Sequence, residues 1–165
     1  MSDSTTPIAV DALDVPEPAL QTRYPEPFAT LVRGRSKRRL GDVFGLTTFG
    51  VNQVRMAPHS TSSVRHHHSR EDEFVYVLSG NVTLLCDERE TVLAPGMCAG
   101  FKAGSGVAHQ LQNRGDVEAV LLEVGSRIEG DEVVYPFDDL ALERVDGDFA
   151  YAHKDGTPYP PRSGA

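Results

Sequence analysis

The chain reads as an all-β protein. Short runs of β-branched, aromatic and aliphatic residues recur about every ten positions between Gly, Pro, Asn and Asp, the spacing that strands and tight turns require. Helix-like composition is confined to "FDDLALERV" (137–145), read as one turn or a short helix. Many short strands leave unpaired edges unless the sheet closes or packs on another, so the pattern predicts a sandwich or a closed barrel.

Taken in order, residues 1–27 are rich in proline ("DVPEPALQTRYPEP"), which fixes φ and removes a donor, and they read as an extended N-terminal arm. Strands are expected near 28–34, 46–57, 61–68, 73–79, 82–87, 90–93, 97–102, 107–113, 117–125 and 131–135. The barrel domain is bounded at 28–150. Residues 151–165, with "HKDGTPYPPRSGA", read as an extended C-terminal tail.

A chain of 165 residues is long enough for one domain with a real core, and 39% apolar content argues against wholesale disorder. A net charge of −8 argues against wrapping nucleic acid or lying on an anionic membrane. The basic run "RGRSKRR" (33–39) is the exception, and it reads as a solvated hairpin or strand edge whose cations discourage pairing with other chains, ahead of a functional anion site. Cys86 and Cys98 lack metal-type spacing, and nothing demands a disulfide. With no apolar leader or spanning run, the expectation is a cytoplasmic protein with reduced thiols.

The chemistry concentrates in "RHHHSREDEFVYVLSG" (65–80). On a strand, residues two apart share a face, so His66 and His68 point together while Arg65 and His67 point away. If Ser69–Asp72 form a hairpin turn, Glu73 comes to lie across from His68 at cross-strand distance. With Glu73 inward, Val75, Val77 and Ser79 are inward too, and Phe74, Tyr76 and Leu78 face out. A strand apolar on both faces needs two covers, and a homodimer would supply the outer one. Further on, "GVAHQLQN" (106–113) puts His109 among apolar neighbours on a core face; a backbone carbonyl or a metal would satisfy it.

These residues resemble the cupin superfamily. Its first motif, G-x5-H-x-H-x(3,4)-E-x6-G, is matched by His66, His68, Glu73 and Gly80, with Ser60 at the opening glycine. Its second, G-x5-P-x-G-x2-H-x3-N, is matched by Gly106, His109 and Asn113, with Cys98 and Gly104 at the first glycine and the proline. "EDEFVYVLSG" and "HKDGTPYP" (153–160) are similar to small single-domain bacterial members, with His67 at their usual tryptophan. The resemblance implies a single antiparallel jelly-roll β-barrel with one divalent metal ion (Fe, Ni, Mn, Co or Zn) held by His66, His68, Glu73 and His109. For such a site the expectation is a metal-dependent enzyme acting on a small polar substrate, dioxygenase-like ahead of isomerase or lyase. The alternative is a non-catalytic metal or metabolite binder serving as sensor or store.

The remaining polar residues have plainer expected roles. His67 is a packing or surface residue; Glu71 and Asp72 lie in a solvated turn; His59 and His153 are surface residues without partners. Asn113 bonds at a strand end, Tyr76 faces away from the metal, and Arg55 is a candidate for binding a substrate anion. The inward positions otherwise offer mainly Val, Leu and Ser, and that shortage of acids and bases favours oxygen chemistry over proton transfer.

Overall fold

The alternating sequence "EFVYVLS" forms the strand its pattern demands. In the computed structural model, which describes residues 6–145 and 148–160, this is β4 (Glu73–Ser79). It lies in a five-stranded sheet with β1 (Arg35–Arg39), β2 (Phe49–Met56), β7 (Cys98–Phe101) and β9 (Ala119–Ser126), in the order β1-β2-β9-β4-β7. A three-stranded sheet follows the order β6 (Arg89–Leu93), β5 (Val82–Cys86), β8 (His109–Gln112). A third sheet follows the order β12 (Asp148–Ala152), β11 (Ala141–Val145), β10 (Val133–Val134), β3 (His67–His68). All the paired strands are antiparallel, and the arrangement is a jelly roll. Among the described residues the ladders form three sheets and no continuous ring. Isolated bridges Thr61–Gln112 and His66–His109 tie the segment before β3 to β8.

The first two sheets face each other across Val54, Met56, Val75, Val77, Val82, Leu84, Leu93, Leu111, Ala119 and Leu121. Each large aliphatic side chain buried this way stabilises the fold by about 1.5–3 kcal/mol. The predicted parity of β4 holds as far as Leu78, since Val75 and Val77 are in this core while Phe74, Tyr76 and Leu78 are exposed; Ser79, expected inward, is exposed because the pairing with β9 shifts register between Val77 and Ser79. Gly80 ends the strand at φ +71°, and a Cβ there would stand 2.6 Å from the Glu118 carbonyl oxygen. The motif glycine is therefore required by close packing as well as by its turn.

A second core gathers Tyr24, Phe28, Ala29, Val32, Val64, Tyr135 and Leu140, with Leu142, Tyr151 and Tyr159 against it. The expected strand at 28–34 is instead a one-turn helix, α1 (Phe28–Leu31), because the apolar Phe28 and Val32 are four apart and share a helical face toward this core. The expected helix at 137–145 is likewise corrected. Residues 141–145 form β11, which pairs along its length with β12, so tertiary pairing overrides local composition. A second one-turn helix, α2 (Leu40–Val43), follows β1.

The basic run is β1, and it is the edge strand expected of it. The N-terminal arm lies against it. Arg38 Nε donates to the Val15 carbonyl, and the Lys37 amide donates to Gln21 Oε1. Val15 and Tyr24 are buried, so the arm is anchored at two points. Cys86 and Cys98 are free thiols. Among the described residues no helix is long and apolar enough to cross a membrane.

Candidate metal centre

The His66–His68 pair reaches its place by a different route from the hairpin expected. β3 pairs with β10 of the third sheet, not with β4, and residues 69–72 cross from one sheet to the other. The crossing is held by Asp131, whose Oδ1 accepts from the Arg70 and Glu71 amides at 2.8 and 3.1 Å. The convergence survives this change of topology. His66 Nε2, His68 Nε2 and His109 Nε2 lie 3.7, 3.6 and 3.0 Å from Glu73 Oε2.

His109 arrives by the isolated bridge. The His66 and His109 backbones exchange both hydrogen bonds, at 2.9 and 3.2 Å, which places their side chains together with ring centroids 4.8 Å apart. Phe101 stacks on the His109 ring at 3.6 Å and fixes its plane. The donor atoms of His66, His68 and Glu73 lie within 4.8 Å of one another and could hold a metal ion. His109 stands outside that mutual set, although it makes the shortest contact to the carboxylate.

The protonation pattern supports a cation among these groups. His66 Nδ1 lies 2.8 Å from the Val64 carbonyl. A carbonyl only accepts, so Nδ1 carries the proton and Nε2 presents a lone pair. His68 Nδ1 donates to Asp131 Oδ2 at 2.6 Å with the same result. Two imidazole lone pairs therefore face a buried carboxylate oxygen whose nearest nitrogen is His109 Nε2 at 3.0 Å. Lone pairs against an anion repel, and a divalent ion between them turns that repulsion into ligation. The residues present fit such an ion. Carboxylate–histidine support of the kind Asp131 gives is the usual outer layer of such centres.

Charge states follow the same logic. Burial lowers the His66 pKa to about 4, with Glu73 opposing and the other two imidazoles reinforcing. Burial would raise Glu73, but the surrounding imidazoles, His109 first, outweigh it and bring the carboxyl to about 2. Asp131 is pushed up by burial, yet the His68, Arg70 and Glu71 donors outweigh this and hold it below the ordinary carboxylate range.

Glu73 opens onto a cavity of about 370 Å³ lined by all three sheets and by Tyr24 of the arm. The cavity corrects the expectation of an interior without acids and bases. Lys37 Nζ donates to Glu123 Oε2 at 2.6 Å on its wall. Register places Glu73 opposite Gly125 and Val75 opposite Glu123, so Glu73 and Glu123 are diagonal neighbours on one face, about 7–8 Å apart at the backbone. Tyr24, Tyr135 and Tyr151 complete the wall, and burial raises the pKa of all three. A single acid inside the apolar run "AVLLEVG" was the signal for Glu123; Lys37 was hidden in the basic run, and nothing near Asp131 marked it.

Other expectations divide. Asn113 is fully buried and donates to the Met56, Ala57 and Val117 carbonyls, the strand-end role expected. Tyr76 faces out. Arg55 pairs with Glu118 on the outer surface and does not enter the cavity. Glu71 is half-buried at the cavity rim, not in a solvated turn; its Oε1 accepts from the Ile128 amide and burial raises its pKa. Asp72 accepts from the Ala103 amide. His153 has partners after all, stacking on Tyr159 and reaching Asp139 at 2.7 Å. His59 is exposed, 3.4 Å from Asp116. His67 is half-buried with an unpartnered Nδ1.

A jelly roll with converging histidines and a glutamate at its mouth defines a class of small β-barrel proteins equipped to hold a metal. Comparison with known proteins gives the class its name. The Cupin domain family matches residues 52–125. A solved structure from Silicibacter pomeroyi, described as a sugar phosphate isomerase from a cupin superfamily, is 39% identical, covers 91% of this chain and 95% of its own, and superposes with a TM-score of 0.84. A putative sugar phosphate isomerase from Acidithiobacillus ferrooxidans is 32% identical over 78% of this chain and 81% of its own, with a TM-score of 0.67. A polyketide cyclase from Streptomyces resistomycificus, 20% identical over 79% of this chain and 85% of its own, shares the fold at a TM-score of 0.64. No sequence among the curated proteins matches this one. The chain belongs to the cupin superfamily.

Proposed function

We propose that this cupin is a metal-dependent enzyme that moves a proton on a small hydroxylated carbonyl compound, an isomerase-type reaction. The carrying observation is the set of three imidazole nitrogens around the buried Glu73 Oε2. His66, His68, Glu73 and His109 would hold the ion. When bound, a divalent ion at this position supplies a Lewis acid for a carbonyl or hydroxyl oxygen. Glu123, next along the same face, is positioned to accept the proton from the adjacent carbon, and Lys37 stays beside it to balance the charge. The tyrosine wall, with phenols that burial keeps protonated, donates hydrogen bonds to substrate hydroxyls.

The Lys37–Glu123 pair removes the reason for preferring oxygen chemistry, and the two relatives that carry the name sugar phosphate isomerase, one of them as putative, support the isomerase reading. The test is elemental analysis of the purified protein, followed by proton NMR of hydroxy-aldehydes and ketoses in D₂O. About one divalent ion per chain and deuterium beside the carbonyl, lost in Glu73→Gln, are expected. Oxygen uptake without exchange would restore a dioxygenase. A retained ion with neither activity would make the protein a binder.

We further propose that the exposed Phe74, Tyr76 and Leu78 face a second copy of the chain, and that free Cys86 and Cys98 reside in the reducing cytoplasm. Light scattering should give a dimer that Leu78→Glu dissociates. A wild-type monomer at high concentration would remove the proposal.

A further inference from the structure

The basic run is only partly accounted for by edge protection. Arg35, Lys37 and Arg39 alternate along β1, so all three point to the same face. That face meets the arm, and together they enclose a groove of about 330 Å³ in which Arg23 joins the three. No carboxylate lines the groove. Among the described residues Arg23, Arg35 and Arg39 form no ion pair, whereas Lys37 is matched by Glu123. Arg35 spends its two terminal nitrogens on the Ser62 and Gln21 carbonyls, which hold its position without cancelling its charge. Its Nε is buried and unpartnered. Three uncompensated guanidiniums around one concavity, in a chain of net charge −8, form a site for a compact anion.

The groove adjoins the cavity in front of Glu73, since Tyr24, Arg35, Lys37 and Tyr151 line both. We infer that the groove formed by Arg23, Arg35 and Arg39 binds the phosphoryl group of a phosphorylated substrate whose carbonyl end lies in the cavity beside Glu73. This rests on the proposed function for what happens in the cavity, but the anion site stands on its own residues. The planar guanidinium forks of Arg23 and Arg39 suit phosphate oxygens, and the arm residues 21–24 form one wall of the groove.

Calorimetry with inorganic phosphate tests the site on the full chain, with and without chelator. The variants are Arg23→Gln/Arg39→Gln and Glu73→Gln. Arg23 and Arg39 are exposed, so the double variant should melt as the wild type does without ligand. The expected result is saturable phosphate binding weakened about tenfold or more in the double variant and unaffected by chelator or Glu73→Gln. Ribose 5-phosphate should also bind more tightly than ribose, with that preference lost in the double variant. Absence of phosphate binding, equal binding by the double variant, or binding abolished by chelator would overturn the inference. Equal affinity for the two sugars would overturn its assignment to substrate. Arginine-dependent phosphate binding in a protein that acquires no metal would support this site while removing the enzymatic reading.

Discussion

The two cores of this protein differ in chemistry and in origin. The barrel core is aliphatic, and its residues come from strands that alternate visibly in the sequence. The second core is built around tyrosines and draws on the arm, α1, β10–β12 and the C-terminal segment, pieces separated by more than a hundred residues. The candidate metal centre lies where they meet. Glu73 belongs to the barrel sheet, while His68 belongs to the sheet of the terminal core and His66 packs 6.0 Å from Tyr135. The barrel supplies stability, and the terminal elements supply the orientation of the ligands and the polar wall of the cavity.

The largest effect should come from the barrel. Leu121 is completely buried between the two facing sheets, and Leu121→Ala should cost about 3–5 kcal/mol in denaturant unfolding. A loss below about 1 kcal/mol would mean that the two sheets do not pack as a single core. Asp131→Asn should act the other way round, costing less stability than Leu121→Ala while metal affinity falls about 10–100-fold, because His68 loses its charged partner. Unchanged affinity by competitive chelator titration would sever the terminal sheet from the centre.

Acid should distinguish the regions next. His66 titrates at about 4 in the folded chain against 6.5 when free, so the unfolded state binds the extra proton first. Glu73, at about 2 against 4.5, acts in the same direction at lower pH. For metal-free protein, stability should therefore be complete above about pH 6.5 and fall from there toward pH 2. His66→Gln should flatten the upper part of that fall; an unaltered profile would contradict the assignment. The smallest effect should be Tyr135→Phe, which removes one hydroxyl from the network with Tyr24 and Tyr151 and should cost about 1 kcal/mol.

The contrast also explains what could be read in advance. β4 and the residue pair His66 and His68 were legible because a period of two marks which side chains share a face. His109 was legible as a polar residue on an otherwise apolar face. The helical turn at 28–31 and the strand at 141–145 were misread because their conformation is set by the terminal core, whose partners are distant in sequence. Asp131 and the Lys37–Glu123 pair escaped for the same reason, since each gains its meaning only from a side chain more than sixty residues away.

Metal content measured across substitutions is the most direct test of the central claim, that one ion is shared by side chains from three sheets. Wild-type protein expressed with a mixture of divalent metals should retain about one ion per chain, and His66→Ala, His68→Ala, Glu73→Gln and His109→Ala should each release it. Full occupancy in all four variants, or no retained ion in the folded wild type, would contradict it.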